Sequence, residues 1–283
     1  PFDAYTINGI ATTTFTGSNS GIATVNATVD GVNVGTNITV GTDIYVSTTG
    51  NDTTGDGSQG NPYKTIAKGI SMVSPGGTVH VANGTYTGTG NVNLTINKNV
   101  TITGESRDSA IIDGQNLNRI FIISGGYNIT LTNLTLRNGL ASNSNGGAIQ
   151  NNGGTLTINN CALTNNRASR TADSTAVYGG AIYNTGTLTI NNSIFTGNTV
   201  TSGSLNDAFG GAIYSTGSIT ITGSTFSGNN ATSSSGTAND DGGAIYTNGN
   251  LNIDNSSFTS NTAGQDGGAI YSNSNLIITN TSF

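Results

Sequence analysis

Hydrophobic and polar residues recur in a fixed order through the C-terminal half of the chain. Each copy reads Gly-Gly-Ala-Ile, then a strand pattern of the Leu-Thr-Ile type, then an apolar residue, usually Phe. In the first four copies Asn follows this apolar residue three positions later. The strand pattern and this apolar residue lie seven positions apart in every copy, as Leu188 and Phe195 do. Such a constant spacing predicts a solenoid of stacked repeats. The Gly pairs begin at Gly146, Gly179, Gly210, Gly242 and Gly267.

Alternation within each repeat predicts short β-strands. Apolar and β-branched polar residues alternate, so we expect Leu188 to point inward and Thr189 outward. The same alternation places Phe195 inside, with Ser193 as a small inward neighbour. The Gly pair is expected at a corner, where positive φ or close backbone approach is required. These features together predict one turn of a parallel β-helix per repeat.

Stacking of similar turns predicts ladders of identical side chains. Cys161 occupies the position of Ser193 and is therefore expected to point inward. Strands about 4.8 Å apart allow the amides of such a ladder to satisfy one another. The predicted ladders contain Phe195, Phe226 and Phe258, and Asn198, Asn229 and Asn261.

Residues 1–41 differ from the repeats and form the first predicted domain or linking segment. Residues 12–15, 22–29 and 32–40 have strand patterns, with a hairpin signal at Asp30-Gly31. The segment resembles the closing strands of an immunoglobulin-like domain of the invasin and intimin type. Three strands are too few for an independent sandwich. Either the missing strands lie upstream, or the segment docks on something else. A further hypothesis is that its unpaired edge accepts a strand from a neighbouring copy in a fibre.

Residues 42–139 are predicted to contain an end cap followed by irregular turns. A strand begins at Asp43, and residues 63–73 carry a helical pattern expected to cap the first turn. Strand patterns follow at 78–82, 94–96, 100–104, 111–114, 120–122 and 129–136. The order of these elements resembles the entry region of right-handed parallel β-helix proteins of the pectate-lyase-like superfamily. Asp52 and Asp56 lie in a polar loop whose ligand spacing matches no strong calcium motif.

Residues 140–283 are predicted to be the regular repeats. The pairing of Gly179-Gly-Ala-Ile with Phe195-Thr-Gly-Asn is similar to polymorphic outer-membrane-protein repeats of autotransporter adhesins. It is also similar to adhesin-like surface proteins of methanogenic archaea. This resemblance implies attachment or wall structure at an extracellular cell surface. The chain begins at Pro1 and stops within a repeat at Phe283, so we expect it to be a fragment truncated at its C-terminus.

Composition narrows the possible partners. A net charge of −6 with scattered basic residues argues against nucleic acid as a partner. The lone Cys161 excludes an internal disulfide. No apolar run is long enough to span a membrane, so no direct membrane insertion is expected for this chain.

The sequence offers little catalytic chemistry. Polysaccharide lyases and hydrolases need clustered acidic residues or an acid and a base, but Glu105 is the only glutamate. Asp113 with Arg119, or Glu105 with Arg107 and Asp108, are the alternatives for an enzymatic site. His80 has no second histidine to pair with and favours a structural role on a strand. We therefore predict no catalytic residue, cofactor or metal site, and we interpret the chain as a non-enzyme.

Two surfaces are candidates for binding. The loops between each motif Asn and the next Gly pair vary in length and carry most charges of the repeats, which is typical of either a binding face or tolerated insertions. A strip of tyrosines either grips sugars or packs beneath these loops; it contains Tyr183, Tyr214, Tyr246 and Tyr271. Candidate glycosylation sites are Asn26, Asn37, Asn83, Asn128, Asn191 and Asn230.

The combined prediction is an all-β protein: a right-handed, single-stranded parallel β-helix with an N-terminal capping helix, preceded by a partial immunoglobulin-like segment. Its predicted function is that of a non-catalytic adhesin or surface-fibre module that binds a surface glycan or a cell-surface protein. A filament subunit that joins neighbouring copies of itself is the first alternative, and a polysaccharide-degrading enzyme is the second.

Overall fold

A computed structural model of the protein describes residues 21–29, 32–40, 43–171, 175–203, 206–234 and 238–283. From residue 43 onward these residues form a right-handed parallel β-solenoid of about seven turns. The predicted fold class is therefore confirmed. Among the described residues, no helix is both long and apolar enough to cross a membrane.

Three sheets enclose the main core, and we name them by the residues that characterise them. The aliphatic sheet contains Asp43–Val46, Thr78–Val81, Val100–Gly104, Asn128–Thr132, Thr155–Asn159, Thr187–Asn191, Ile219–Thr222, Leu251–Asp254 and Leu276–Thr279. The phenylalanine sheet contains Gly84–Tyr86, Ala110–Asp113, Thr135–Arg137, Ala162–Thr164, Ile194–Thr196, Thr225–Ser227 and Ser257–Thr259. The tyrosine sheet contains Leu94–Ile96, Phe121–Ser124, Ile149–Asn152, Ile182–Asn184, Ile213–Ser215, Ile245–Thr247 and Ile270–Ser272.

The loops between the phenylalanine and tyrosine sheets form two further parallel sheets, which the sequence did not predict. The first loop sheet contains Leu140–Ser142, Arg167–Arg170, Thr199–Ser202, Asn230–Ser233 and Thr262–Ala263. The second loop sheet contains Val177–Tyr178, Ala208–Phe209 and Asp240–Asp241. Small apolar side chains form a second core between them: Ala141, Ala168, Val177, Val200, Ala208 and Ala231. The loops of successive turns therefore stack on one another instead of projecting separately into solvent.

The predicted inward positions are confirmed. Leu188 and Phe195 are fully buried, as is Cys161 in the position of Ser193. Phe226 stacks between Phe195 and Phe258, with ring centroids 4.7 and 4.8 Å away. Burying a side chain of this size contributes about 1.5–3 kcal/mol to stability. Because the rings of adjacent turns cover one another, each turn is stabilised mainly by its neighbours.

The asparagine ladder is also confirmed. Asn166, Asn198 and Asn229 are fully buried. The Nδ2 of each donates to the Oδ1 of the next asparagine, at 3.0 Å for Asn166 to Asn198 and 2.9 Å for Asn198 to Asn229. Because each Oδ1 also accepts a main-chain N–H from the preceding turn, the amides are satisfied without water.

Corners of the solenoid depend on left-handed backbone conformations. The first glycine of each pair supplies one of them, with φ of +72° at Gly210. The second glycine permits close approach, because a Cβ on Gly211 would overlap the carbonyl oxygen of Gly243. Asparagines supply further corners, as at Asn133 with φ of +53°. The prediction of one strand over 129–136 was therefore wrong, since Asn133 divides it into Asn128–Thr132 and Thr135–Arg137.

The helix spans Ile66–Met72, a shorter element than the 63–73 predicted. It begins later because Tyr63 forms a parallel bridge with Val46, and because the Thr65 side chain accepts the Lys68 N–H as the N-cap. Ile66 and Ile70 are buried against the first two strands of the aliphatic sheet. The helix thus covers the apolar end of the solenoid, as a cap should.

The hairpin predicted near the N-terminus is confirmed in its paired strands. Gly21–Val29 and Val32–Val40 pair antiparallel over nine residues each. The predicted strand at 12–15 and the turn at Asp30-Gly31 lie outside the described residues. The immunoglobulin-like assignment of residues 1–41 stays a prediction.

Candidate functional site

The tyrosine strip lies on the outward face of the tyrosine sheet. Tyr183, Tyr214, Tyr246 and Tyr271 stack in register, with ring centroids 5.6, 5.4 and 5.0 Å apart along the series. Their planes are nearly parallel, at 2°, 11° and 9°. In such a ladder the ring faces contact one another. The strip therefore presents ring edges and phenolic hydroxyls, not ring faces, to its surroundings.

Aromatic residues of the second loop sheet pack on this strip. Tyr178 lies 4.4 Å from Tyr214 between ring centroids, and Phe209 lies 4.6 Å from Tyr246. Tyr214 is consequently buried, and this burial raises the pKa of its phenol to about 12. These contacts match the alternative in which the tyrosines pack beneath the loops, and sequence reasoning missed Tyr178 and Phe209 because they lie in the variable loops. Binding of sugar at the strip stays a prediction.

The remaining exposed part of the strip is both aromatic and polar. Tyr183, Tyr246 and Tyr271 are half-buried. Asn273 donates to the Tyr246 hydroxyl at 3.0 Å, and Asn248 donates to the Tyr214 hydroxyl at 3.4 Å. The result is a surface of ring edges, phenols and amides that repeats along the solenoid; we call it the tyrosine face.

The loop carboxylates next to this face are used structurally. Asp240 accepts the N–H and the hydroxyl of Ser233, both at 2.7 Å. Asp241 accepts the Asp266 N–H at 3.1 Å. Burial raises the pKa of Asp241, and the nearby carboxylates of Asp266, Asp207 and Asp240 add to this effect. No group of three metal-ligating side chains occurs within the described ranges.

In the first alternative for a catalytic site, Asp113 and Arg119 each bind other groups. Asp113 forms an ion pair with Arg137 at 2.7 Å instead of with Arg119. Burial opposes ionisation of Asp113, but hydrogen bonds from Gln115, Arg137 and Asn138 outweigh it and lower the pKa. Arg119 donates to the carbonyl oxygens of Asn145 and Gly146, where it holds a corner of the chain.

The second alternative, Glu105 with Arg107 and Asp108, is also held by local contacts. Glu105 accepts the Asn83 N–H at 3.0 Å, and Arg107 lies 2.9 Å from Asp108. Asp52, considered above for calcium, accepts N–H groups from Lys64 and Thr65. Burial opposes ionisation of Asp52, but these bonds and the Thr65 hydroxyl lower its pKa, so it serves the start of the helix.

His80 lies on the outward face of the aliphatic sheet. Its ring stacks on Tyr45 with centroids 4.6 Å apart, and its Nε2 is 3.2 Å from Asp43 Oδ1. The expectation of a strand-face histidine agrees with this position. The stacking on Tyr45 was missed, because Tyr45 lies in the cap region and outside any repeat.

The candidate glycosylation sites differ in accessibility. Asn83 and Asn128 are exposed. Asn191 donates to Asn159 at 2.9 Å, and Asn230 accepts from Thr262 at 3.1 Å, so a glycan there would disrupt a contact. Asn26 and Asn37 lie on the antiparallel strands, opposite Gly35 and Thr24.

The fold and these contacts define a parallel β-helix in which Asp52, Asp113 and Arg119 make structural contacts at loops and corners. Residues 48–281 match the family described as "Protein of unknown function (DUF1565)", and the chain belongs to this family. No curated protein gives a significant sequence match.

Solved structures to which the chain is similar include pectin methylesterases and a rhamnogalacturonan lyase. Pectin methylesterase from carrot is 12% identical with a TM-score of 0.43, over 84% of this chain and 82% of that one. A pectin methylesterase in complex with a hexasaccharide is 16% identical with a TM-score of 0.41, over 76% and 65%. A rhamnogalacturonan lyase is 12% identical with a TM-score of 0.39, over 85% and 62%. The chain spans less than two thirds of the last two, and similarities of this size assign it no activity.

Proposed function

We propose that the protein is a non-catalytic, extracellular cell-surface module that binds carbohydrate and uses the solenoid as a rigid support. The observation that carries the proposal is the tyrosine face, where half-buried rings, phenols and amides recur on successive turns. Tyrosine combines a large apolar body with a polar tip, which suits ligands that have both C–H and hydroxyl surfaces. The partner in this proposal is a surface glycan, or a glycosylated protein on a neighbouring cell.

The use of charged side chains supports binding over catalysis. Acid–base chemistry needs two ionisable groups within reach of one substrate. Asp113 is instead paired with Arg137, and Arg119 is bonded to main-chain carbonyls. Each of these groups has a structural role that catalysis would have to disrupt.

A glycan array with the full chain tests the proposal. Tyr183→Ala removes a half-buried ring from the tyrosine face, and we expect it to reduce the signal on the bound glycans by about tenfold. Thr189→Ala, in the same turn but on the outward face of the aliphatic sheet, is the matched control and should retain the wild-type profile.

Two outcomes would count against the proposal. An array without any glycan signal would exclude carbohydrate binding under those conditions. Release of new reducing ends or methanol from pectic polysaccharides would exclude a non-catalytic role.

A further inference from the structure

A groove of about 730 Å³ lies on the outward side of the aliphatic sheet, next to the capped end of the solenoid. Its lining includes the stacked rings of Tyr45 and His80, the carboxylate of Glu105, and Gln59 from the loop after the first strand. This volume is within the range of about 300–1,000 Å³ that small-molecule sites occupy. The groove is distinct from the tyrosine face, which lies on another sheet.

The register of three strands creates the groove. Tyr45, His80 and Thr103 occupy one outward column, because the strands pair Tyr45 with His80 and His80 with Thr103. The column therefore changes from two rings to a much smaller side chain at Thr103. Beside it, Ala82 and Glu105 follow the ends of their strands and also line the groove.

The charges of the groove limit its ligands. Glu105 contributes a carboxylate, and Asp43 is held beside His80 at 3.2 Å. The described residues that line the groove include no lysine or arginine. An anionic sugar such as a uronate would meet a like charge without a lysine or arginine to compensate it, whereas an uncharged sugar would meet no such repulsion.

We propose that this groove binds a short neutral oligosaccharide. A hexose ring would lie in the space beside Thr103, with a C–H face toward His80. Its hydroxyls would donate to Glu105 and exchange hydrogen bonds with the amide of Gln59, since both are planar groups that engage two partners. The inference rests on the proposed function and adds to it a site and a class of ligand.

His80 is the only histidine of the chain, so its imidazole ¹H–¹³C signals report on the groove without ambiguity. The protein is titrated separately with cellotetraose, chitotetraose, mannotetraose and tetragalacturonate. We expect at least one neutral tetrasaccharide to shift the His80 signals in a saturable way, and tetragalacturonate to leave them unchanged. A response to tetragalacturonate alone, or no response to any of the four, would overturn the proposal.

Variants separate the groove from other surfaces. Thr103→Tyr extends the ring column into the groove and is expected to weaken binding of the neutral sugar at least about tenfold. Thr222→Tyr, in the same outward column but four strands away, is the matched control and should bind like wild type. Glu105→Ala removes a hydrogen-bond acceptor without filling the groove, and a loss of about tenfold is again expected.

The outcomes also separate this site from the general function. Glycan-array binding that persists with an unchanged His80 signal would refute the groove and leave the tyrosine face as the site. A silent array together with silent His80 titrations would refute both proposals. Wild-type affinity in both Thr103→Tyr and Glu105→Ala would refute the groove even if His80 responds.

Discussion

Replacing Asn229 with Asp tests whether the asparagine ladder is dry and fully hydrogen bonded. Asn229 Oδ1 accepts from Asn198 Nδ2 at 2.9 Å and from the Asn198 N–H at 3.0 Å. Its Nδ2 donates to the Phe195 carbonyl at 3.0 Å and to Asn261 Oδ1 at 2.9 Å. Aspartate keeps the shape and the two accepted bonds, but it places an acceptor where two other acceptors need a donor.

The expected cost at neutral pH follows from these contacts. Two donated bonds are lost, and the Phe195 carbonyl and Asn261 Oδ1 each face a carboxylate oxygen in place of a donor, at a cost of about 1–3 kcal/mol per lost bond, although Asn261 Oδ1 keeps the bond from the Asn229 N–H. A carboxylate in a site without solvent adds its own desolvation cost. We therefore expect the free energy of unfolding to fall by about 4 kcal/mol or more at pH 7, a large share of the roughly 5–15 kcal/mol typical of proteins.

The loss should depend on pH in a defined direction. Burial raises the pKa of the introduced carboxyl group in the folded state above its value of about 3.9 in the unfolded chain. Below about pH 3.9 the group is protonated in both states and again carries a donor, so the destabilisation is smallest there. Between the two pKa values it grows by about 1.4 kcal/mol per pH unit, and above the folded-state pKa it is constant.

Urea unfolding followed by circular dichroism from about pH 3.5 to about pH 8 measures this difference between variant and wild type. Asn255→Asp is the matched control, because Asn255 is exposed at a corner with φ of +48°, a conformation that Asp tolerates. Its stability should stay near that of wild type throughout. Equal stability of Asn229→Asp and wild type at pH 7, or a difference that does not change with pH, would refute the reasoning.

Two further predictions concern the single thiol and the N-terminal strands. Burial raises the pKa of the Cys161 thiol to about 12, so iodoacetamide should label the protein in urea but not the folded protein at about pH 8. Mass spectrometry distinguishes labelled from unlabelled protein, and rapid labelling of the folded chain would contradict this burial. If the N-terminal strands join neighbouring copies, fibres seen by negative-stain electron microscopy should disappear when residues 1–41 are deleted, and fibres that persist would exclude the filament hypothesis.

The solenoid and its ladders were predictable because every turn repeats the same environment. Phe195 and Phe226 occur at the same place in the repeat, and the structure places them in register. The same holds for Asn198 and Asn229, whose amides need a partner of the same kind directly above. In such a repeat, the local strand pattern and the packing between turns favour the same residue at the same position, so each repeat independently predicts the fold.

The corner at Asn133 was missed although the sequence contains a signal for it. Ile129 and Leu131 point inward at odd positions, whereas Leu134 and Leu136 point inward at even positions. The left-handed residue Asn133 between them shifts the alternation by one. The prediction of one strand over 129–136 ignored this shift in the alternation. An unbroken strand with such a shift would turn some of its apolar side chains toward solvent.

The groove and the second core depend on contacts that no repeat reveals. Tyr45, His80 and Thr103 lie in irregular turns, and the loop of residues 48–62 and the helix separate the strand of Tyr45 from that of His80. Val177 and Ala208 likewise meet through loops of unequal length. Sequence spacing predicts neither set of contacts, because main-chain pairing decides the register between turns while the lengths of the intervening loops vary. Ligand sites are therefore best sought on this solenoid where the outward columns stop repeating, as they do at Thr103.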